Sequence, residues 1–174
     1  EIFIMDERIK TLAYNLVNYS CRLQAGEKVW ISCNGVHPLP LVKQIIKEVY
    51  KVGATPFVKM MTNSLEREIL LGATEEQQKM MAEVDCQLMK QMDAFIGVRG
   101  EDNLTEQYDV PTEKLDIQNI FYDDPVHHQI RVPHTKWVVL RYPTNAMAQA
   151  AKTSPEEFED FYSNVCNLDY SKMR

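Results

Sequence analysis

Apolar runs and helical stripes alternate along this chain. Ile9, Leu12, Ala13, Leu16, Val17, Ser20 and Leu23 recur at helical spacing and predict a first helix that stops at Gly26. Lys28 to Cys33 reads as a first strand, and Asn34-Gly35 as a turn. Pro38 and Pro40 open a second helix with the apolar face Val42, Ile45, Ile46, Val49 and Tyr50, running to Gly53. Thr55 to Met60 is a second strand, with Pro56 tolerable near its start or on a sheet edge.

Asn63-Ser64 begins a short helix that ends at Gly72. Thr74-Glu75-Glu76-Gln77 is a capping box for a Met-rich helix with Met80, Met81, Val84, Leu88 and Met92 facing inward. Asp93 to Arg99 is a third strand, followed by the polar corner Gly100-Glu101-Asp102-Asn103. Pro111-Thr112 starts a further helix, which Asp124-Pro125 breaks or re-caps and Pro133 ends. Lys136 to Arg141 reads as a buried fourth strand closed by Pro143. A last helix is marked by Ser154 as N-cap, Pro155 in its first turn and Glu157 completing a capping box. Glu156, Glu157, Glu159 and Asp160 suit its positive end, and Lys172 and Arg174 its negative one. Its apolar face is Phe158, Phe161, Tyr162, Val165 and Leu168.

This alternation predicts an α/β fold, a mainly parallel open sheet of about four strands with helices on both faces. Right-handed crossovers give the strand order second, first, third, fourth. Residues 1–174 form a single domain on this reading. Glu1 at the start and Met173-Arg174 at the end suggest a trimmed start and a cut at a domain boundary.

The net charge of −6 points away from nucleic acid or an anionic membrane as partner. No apolar run reaches transmembrane length, and Glu1 to Arg8 lacks the basic start and apolar centre of a signal peptide. Cys21, Cys33, Cys86 and Cys166 are scattered, which suits a reduced, cytoplasmic chain.

No Gly-x-Gly-x-x-Gly, Walker loop or His-Glu-x-x-His occurs. His127-His128 is the best metal-like cluster, but adjacent residues of an α-helix diverge by about 100°, so at most one joins a given site. Cys33 and His37 lack third and fourth ligands, and a buried Cys beside a turn His is the plainer reading. His134 reads as turn filler. Arg99 and Arg141 both follow strands at one sheet edge, where they could clamp a carboxylate, pair with acids of another domain, or form ordinary surface ion pairs. In a parallel sheet, Arg99, Gly100, Asn103, Arg141, Tyr142, Thr144 and Asn145 all lie at the carboxyl edge, where ligands usually sit. They line a substrate cleft or an interdomain seam, or they only hold turns together.

Leu140-Arg141-Tyr142-Pro143-Thr144-Asn145-Ala146-Met147-Ala148-Gln149 followed by Ser154-Pro155-Glu156-Glu157-Phe158-Glu159-Asp160-Phe161 resembles the thermophilic metallo-aminopeptidases, the aminopeptidase T and S family. Cys166-Asn167-Leu168-Asp169, Gly26-Glu27-Lys28-Val29, Pro40-Leu41-Val42, Gly53-Ala54 and Arg99-Gly100-Glu101-Asp102-Asn103 are similar to it too. The resemblance implies the N-terminal domain of a longer, two-domain cytoplasmic enzyme that removes N-terminal amino acids from peptides. It implies two divalent metal ions held by Glu, His and Asp of a C-terminal domain, and a homodimer of the full-length protein. It assigns no catalytic residue and no metal ligand to this chain. The segment alone is therefore expected to be inactive and to hold no stoichiometric metal. Arg141→Ala and Thr144→Ala are expected to impair the full-length enzyme with stability largely kept. A stand-alone small-ligand or nucleotide-binding module, or a ligand-free interaction domain, is the alternative.

Overall fold

A computed structural model describes residues 6–172. Four strands form one parallel sheet in the order β2-β1-β3-β4, as the sequence predicts. They are β1 (Lys28–Asn34), β2 (Thr55–Met61), β3 (Ala94–Arg99) and β4 (Lys136–Arg141).

Side chains alternate along β1 and β3 and build two cores, one on each face. Val29, Ile31 and Cys33 of β1 and Ala94, Ile96 and Val98 of β3 pack against α1 (Glu7–Asn15) and α2 (Leu39–Lys51). Trp30 and Phe95 face the other way, against α4 (Glu75–Met89) and a later helical stretch that holds Tyr122, Val126 and Ile130. Each fully buried aliphatic side chain in these cores contributes roughly 1.5–3 kcal/mol. Pro56 stands second in edge strand β2, the one place where a missing donor is harmless.

Several local expectations are corrected. The first helix does not run to Gly26. It widens over Leu16–Ser20 and ends there, and Gly26, at φ +84°, serves the turn into β1 instead. Tyr50 of α2 is exposed, because Leu41, Ile45 and Val49 already fill the space on the sheet. In α4 the inward face is Gln78, Ala82, Asp85 and Met89, while Met80 and Val84 face outward. The helix lies over a polar part of the sheet, so its polar stripe turns in. β4 is an edge strand, and none of its residues is fully buried.

Asp124-Pro125 breaks nothing. Helix α5 (Thr112–Gln118) continues without interruption through a wide, i→i+5 winding over Asn119–Arg131 into a last turn, α6 (Val132–His134). The ladder already changes register there, so a proline without a donor is accommodated.

Helix α3 (Asn63–Gly72) follows β2, and after β4 come α7 (Asn145–Ala150), α8 (Pro155–Cys166) and a 3-10 turn, Tyr170–Lys172. Ser154 caps α8 as predicted, accepting from the Glu157 amide at 3.1 Å. The Glu157 carboxylate takes the Thr153 hydroxyl instead of reaching back to Ser154. Arg8 of α1 bonds Asp160 of α8 at 2.6 Å, and the Asn167 amide bonds the Arg8 carbonyl at 3.1 Å. Phe158 and Tyr162 turn inward, but Phe161, Val165 and Leu168 are exposed, which corrects three of the five residues of the expected apolar face. Lys172 pairs with Asp169, while Arg174 and Glu1 to Met5 lie outside the described residues.

The four cysteines are free. Cys21 and Cys33 are buried, and burial pushes the Cys21 thiol up to about 12 and raises that of Cys33.

Candidate functional site: a two-signed cavity at the strand ends

The sheet face opposite α1 and α2 carries a cavity of about 820 Å³ at its carboxyl edge. The last residue of every strand, Asn34, Met61, Arg99 and Arg141, lines it. Period-two alternation produces this floor: Trp30, Ser32 and Asn34 on β1, Phe95, Gly97 and Arg99 on β3, Val139 and Arg141 on β4. Walls come from α3, α4, the corner after β3 and the wide helical segment.

Of the seven predicted residues, the structure brings Arg99, Gly100 and Arg141 together in this cavity. Arg99 and Arg141 are register partners on neighbouring strands. The other four lie outside it. Asn103 folds its side chain onto Thr105 and Glu106 in a local turn. The Tyr142 amide donates to the Arg99 carbonyl at 2.6 Å, and its ring packs on the first core. Thr144 is buried and caps α7, accepting from the Met147 amide at 3.3 Å. Asn145 begins that helix and is exposed.

Gly100 is tied to β1: its amide donates to the Asn34 carbonyl at 2.8 Å. Gly35, at φ +92°, sits against it so closely that an added Cβ would come within 2.3 Å of the Gly100 carbonyl oxygen. This pair of glycines lets two strand-end loops touch backbone to backbone.

Sequence reasoning missed most of the cavity's charge. Asp85 of α4, almost buried, accepts from the Lys59 ammonium and from the Tyr122 hydroxyl, the latter at 2.6 Å. Burial, and then the Asp85 hydrogen bond, push the Tyr122 phenol upward, so it stays a donor. Lys59 also lies 4.6 Å above the Trp30 ring. The Arg131 Nε donates to His127 Nδ1 at 3.0 Å, and its guanidinium sits about equally over the rings of Phe95 (5.0 Å) and Trp137 (4.8 Å). Burial, followed by the nearby Arg131 charge, pushes His127 down to about 4, so it is neutral and can accept that bond. Burial, then Glu66, raises the Asp123 carboxyl. Burial, then Arg99, lowers Arg131. Both His127 and His128 line the cavity. The wide winding turns less per residue than an α-helix, so consecutive side chains diverge less. A usable signal was in the sequence: Ser32 and Asn34 of β1, and Gly97 and Arg99 of β3, are polar or small residues at alternate positions and mark the open face.

Among the described residues, no three His, Cys, Asp or Glu side chains gather as a metal ion would need. His37 is paired with Asp102 at 2.5 Å, and the Cys33 thiol bonds the Gly35 carbonyl. His128 lies 3.5 Å from Asp124, and His134 belongs to the last helical turn. No helix of the described residues is long and apolar enough to cross a membrane.

Comparison with curated proteins gives no match. Among solved structures, wild-type AmpT from Thermus thermophilus is similar, at a TM-score of 0.68 and 18% identity. The match covers 92% of this chain and 43% of that one, so the chain spans less than half the length of AmpT. An alcohol dehydrogenase superfamily protein from Novosphingobium aromaticivorans is matched at a TM-score of 0.36 and 14% identity, over 94% of this chain and 49% of the other. AmpT shares the fold at a distance; the second likeness carries no weight. Residues 5–172 match the family described as thermophilic metalloprotease (M29), and with nearly the whole chain covered, this protein belongs to that family.

Proposed function

We propose that the chain is the N-terminal domain of a metal-dependent aminopeptidase, and that its strand-end cavity forms one wall of the substrate cleft. The family match over residues 5–172 carries this reading. The shorter span relative to AmpT supports a further domain, and the absence of a ligand cluster among the described residues supports a metal site held there. Two divalent ions in that domain would supply the activated water and polarise the scissile carbonyl. The residues of this chain then bind and position: Arg99 and Arg141 offer ten N–H donors at the strand ends, and Trp30 and Phe95 offer an apolar floor. Peptides are the substrates, the chain's own C-terminal domain is its first partner, and the full-length protein works as a cytoplasmic homodimer. Neither nucleic acid nor membrane has a role.

The test is peptide hydrolysis by the full-length protein. Release of N-terminal residues, abolished by a chelator and restored by a divalent cation, is the expected result. Turnover by residues 1–174 alone, or chelator-insensitive turnover, overturns the proposal.

A further inference from the structure

Arg99 and Arg141 stand side by side on β3 and β4, and neither side chain makes a hydrogen bond or ion pair with a described residue. Facing positions on adjacent strands are about 4.8 Å apart, so the two guanidiniums repel unless an anion sits between them. Arg131 adds a buried Nη1 with no partner. Trp30, 3% exposed and on the floor of the same cavity, adds a buried indole N–H with no partner. A buried donor without an acceptor costs about 1–3 kcal/mol, and two of them in a cavity also lined by the exposed Arg99 and Arg141 point to a missing acceptor.

The acids do not supply it. Asp85 is held by Lys59 and Tyr122, Glu66 by the side chains of Gln107 and Gln118, and Glu101 by the Asn63 amide. Asp123 is drawn electrostatically toward Arg99 and Arg131, yet burial raises its carboxyl and no hydrogen bond ties it to either. Four cations, Lys59, Arg99, Arg131 and Arg141, therefore face four acids. That balance is hostile to a polyanion such as a nucleoside triphosphate, and it accepts a single negative charge. The volume lies in the range of small-molecule sites, about 300–1,000 Å³.

We infer that this cavity binds a carboxylate, clamped by Arg99 and Arg141, on a small organic molecule. Two planar guanidinium forks match the paired oxygens of one carboxylate in geometry. The identity of that molecule rests on the function proposed above: in an aminopeptidase it is the free carboxyl end of a short peptide, whose remaining atoms lie over Trp30 and Phe95. The enzyme then favours peptides of a few residues, measured from the carboxylate anchor.

Calorimetry on the full-length protein tests this with acetyl-trialanine, whose blocked amine prevents aminopeptidase cleavage, against its C-terminal amide. The acid is expected to bind at least ten-fold more tightly than the amide. Arg99→Gln and Arg141→Gln should each weaken the acid by about ten-fold and leave the amide unchanged, with thermal melting confirming the fold. Equal affinity for acid and amide, no detectable binding of the acid, or its displacement by inorganic phosphate at a lower concentration than by free acetyl-alanine overturns the inference. Turnover of trialanine is read separately. Hydrolysis without acid preference removes the clamp and keeps the peptidase; acid preference without hydrolysis does the reverse.

Discussion

Arg99 and Arg141 occupy facing positions at the carboxyl ends of β3 and β4, two like charges on adjacent strands with no acid bridging them among the described residues. Such a placement costs stability in the empty protein. Arg141→Gln should therefore raise the stability of the ligand-free protein by up to about 1 kcal/mol, or about 2–4 °C in Tm. Thermal melting in the absence and presence of a carboxylate ligand checks this. A lower Tm without ligand would show that Arg141 has a structural partner.

Gly35→Ala should be among the most damaging small substitutions. The position combines φ +92° with a Cβ 2.3 Å from the Gly100 carbonyl, and backbone cannot rotate away as a side chain can. A loss of about 2–4 kcal/mol in urea denaturation is expected. Gly72→Ala, where no atom lies within 4 Å of the added carbon, is the neutral control.

Thr144→Ala should act on stability before it acts on chemistry. The side chain is buried and caps α7. Loss of an N-cap costs about 1 kcal/mol. Thr144→Ser should restore most of it, because the hydroxyl does the capping. An intact Tm with reduced kcat/KM would instead place Thr144 in the cleft.

His127 gives a pH dependence with a definite sign. Its folded-state pKa, about 4, lies below the ordinary 6.5. Its contribution to stability is therefore full above pH 6.5 and is lost as pH falls toward 4, where the unfolded chain takes up a proton that the folded one refuses. The size is on the order of 2–3 kcal/mol across that window. Asp123, raised by burial, runs the opposite way. The clean readout is therefore the difference in urea midpoint between wild type and His127→Gln from pH 7 to 4. The gap should shift in favour of the variant as pH falls, and a constant gap would rule out a buried neutral imidazole.

The sheet was legible because its signals are local and repeated. Apolar runs bounded at one end by Gly or Pro located all four strands, and right-handed crossovers supplied the order β2-β1-β3-β4. Caps such as Ser154 and Thr74 were legible for the same reason. The cavity was legible only at its floor. Arg99 and Arg141 follow from strand ends, but Asp85, Tyr122, His127 and Arg131 come from helices whose rotation depends on what they cover. Met80 and Val84 looked like an inward face because apolar residues usually are one. α4 covers the polar side of β1 and β2, where Lys59 needs Asp85. In the wide segment Asn119–Arg131, the α-helical period itself gave the wrong angles.

The buried thiols carry a practical consequence. Cys21 donates to the Phe95 carbonyl deep between the first helix and β3, and Cys33 lies within β1. A thiolate is the reactive form, and burial suppresses it at both positions. A thiol reagent can then modify either residue only after the sheet has parted from its helical cover. The rate of labelling at Cys21 and Cys33 becomes a clock for core opening, read under native conditions. Partly exposed Cys86 and Cys166 provide the fast reference in the same chain.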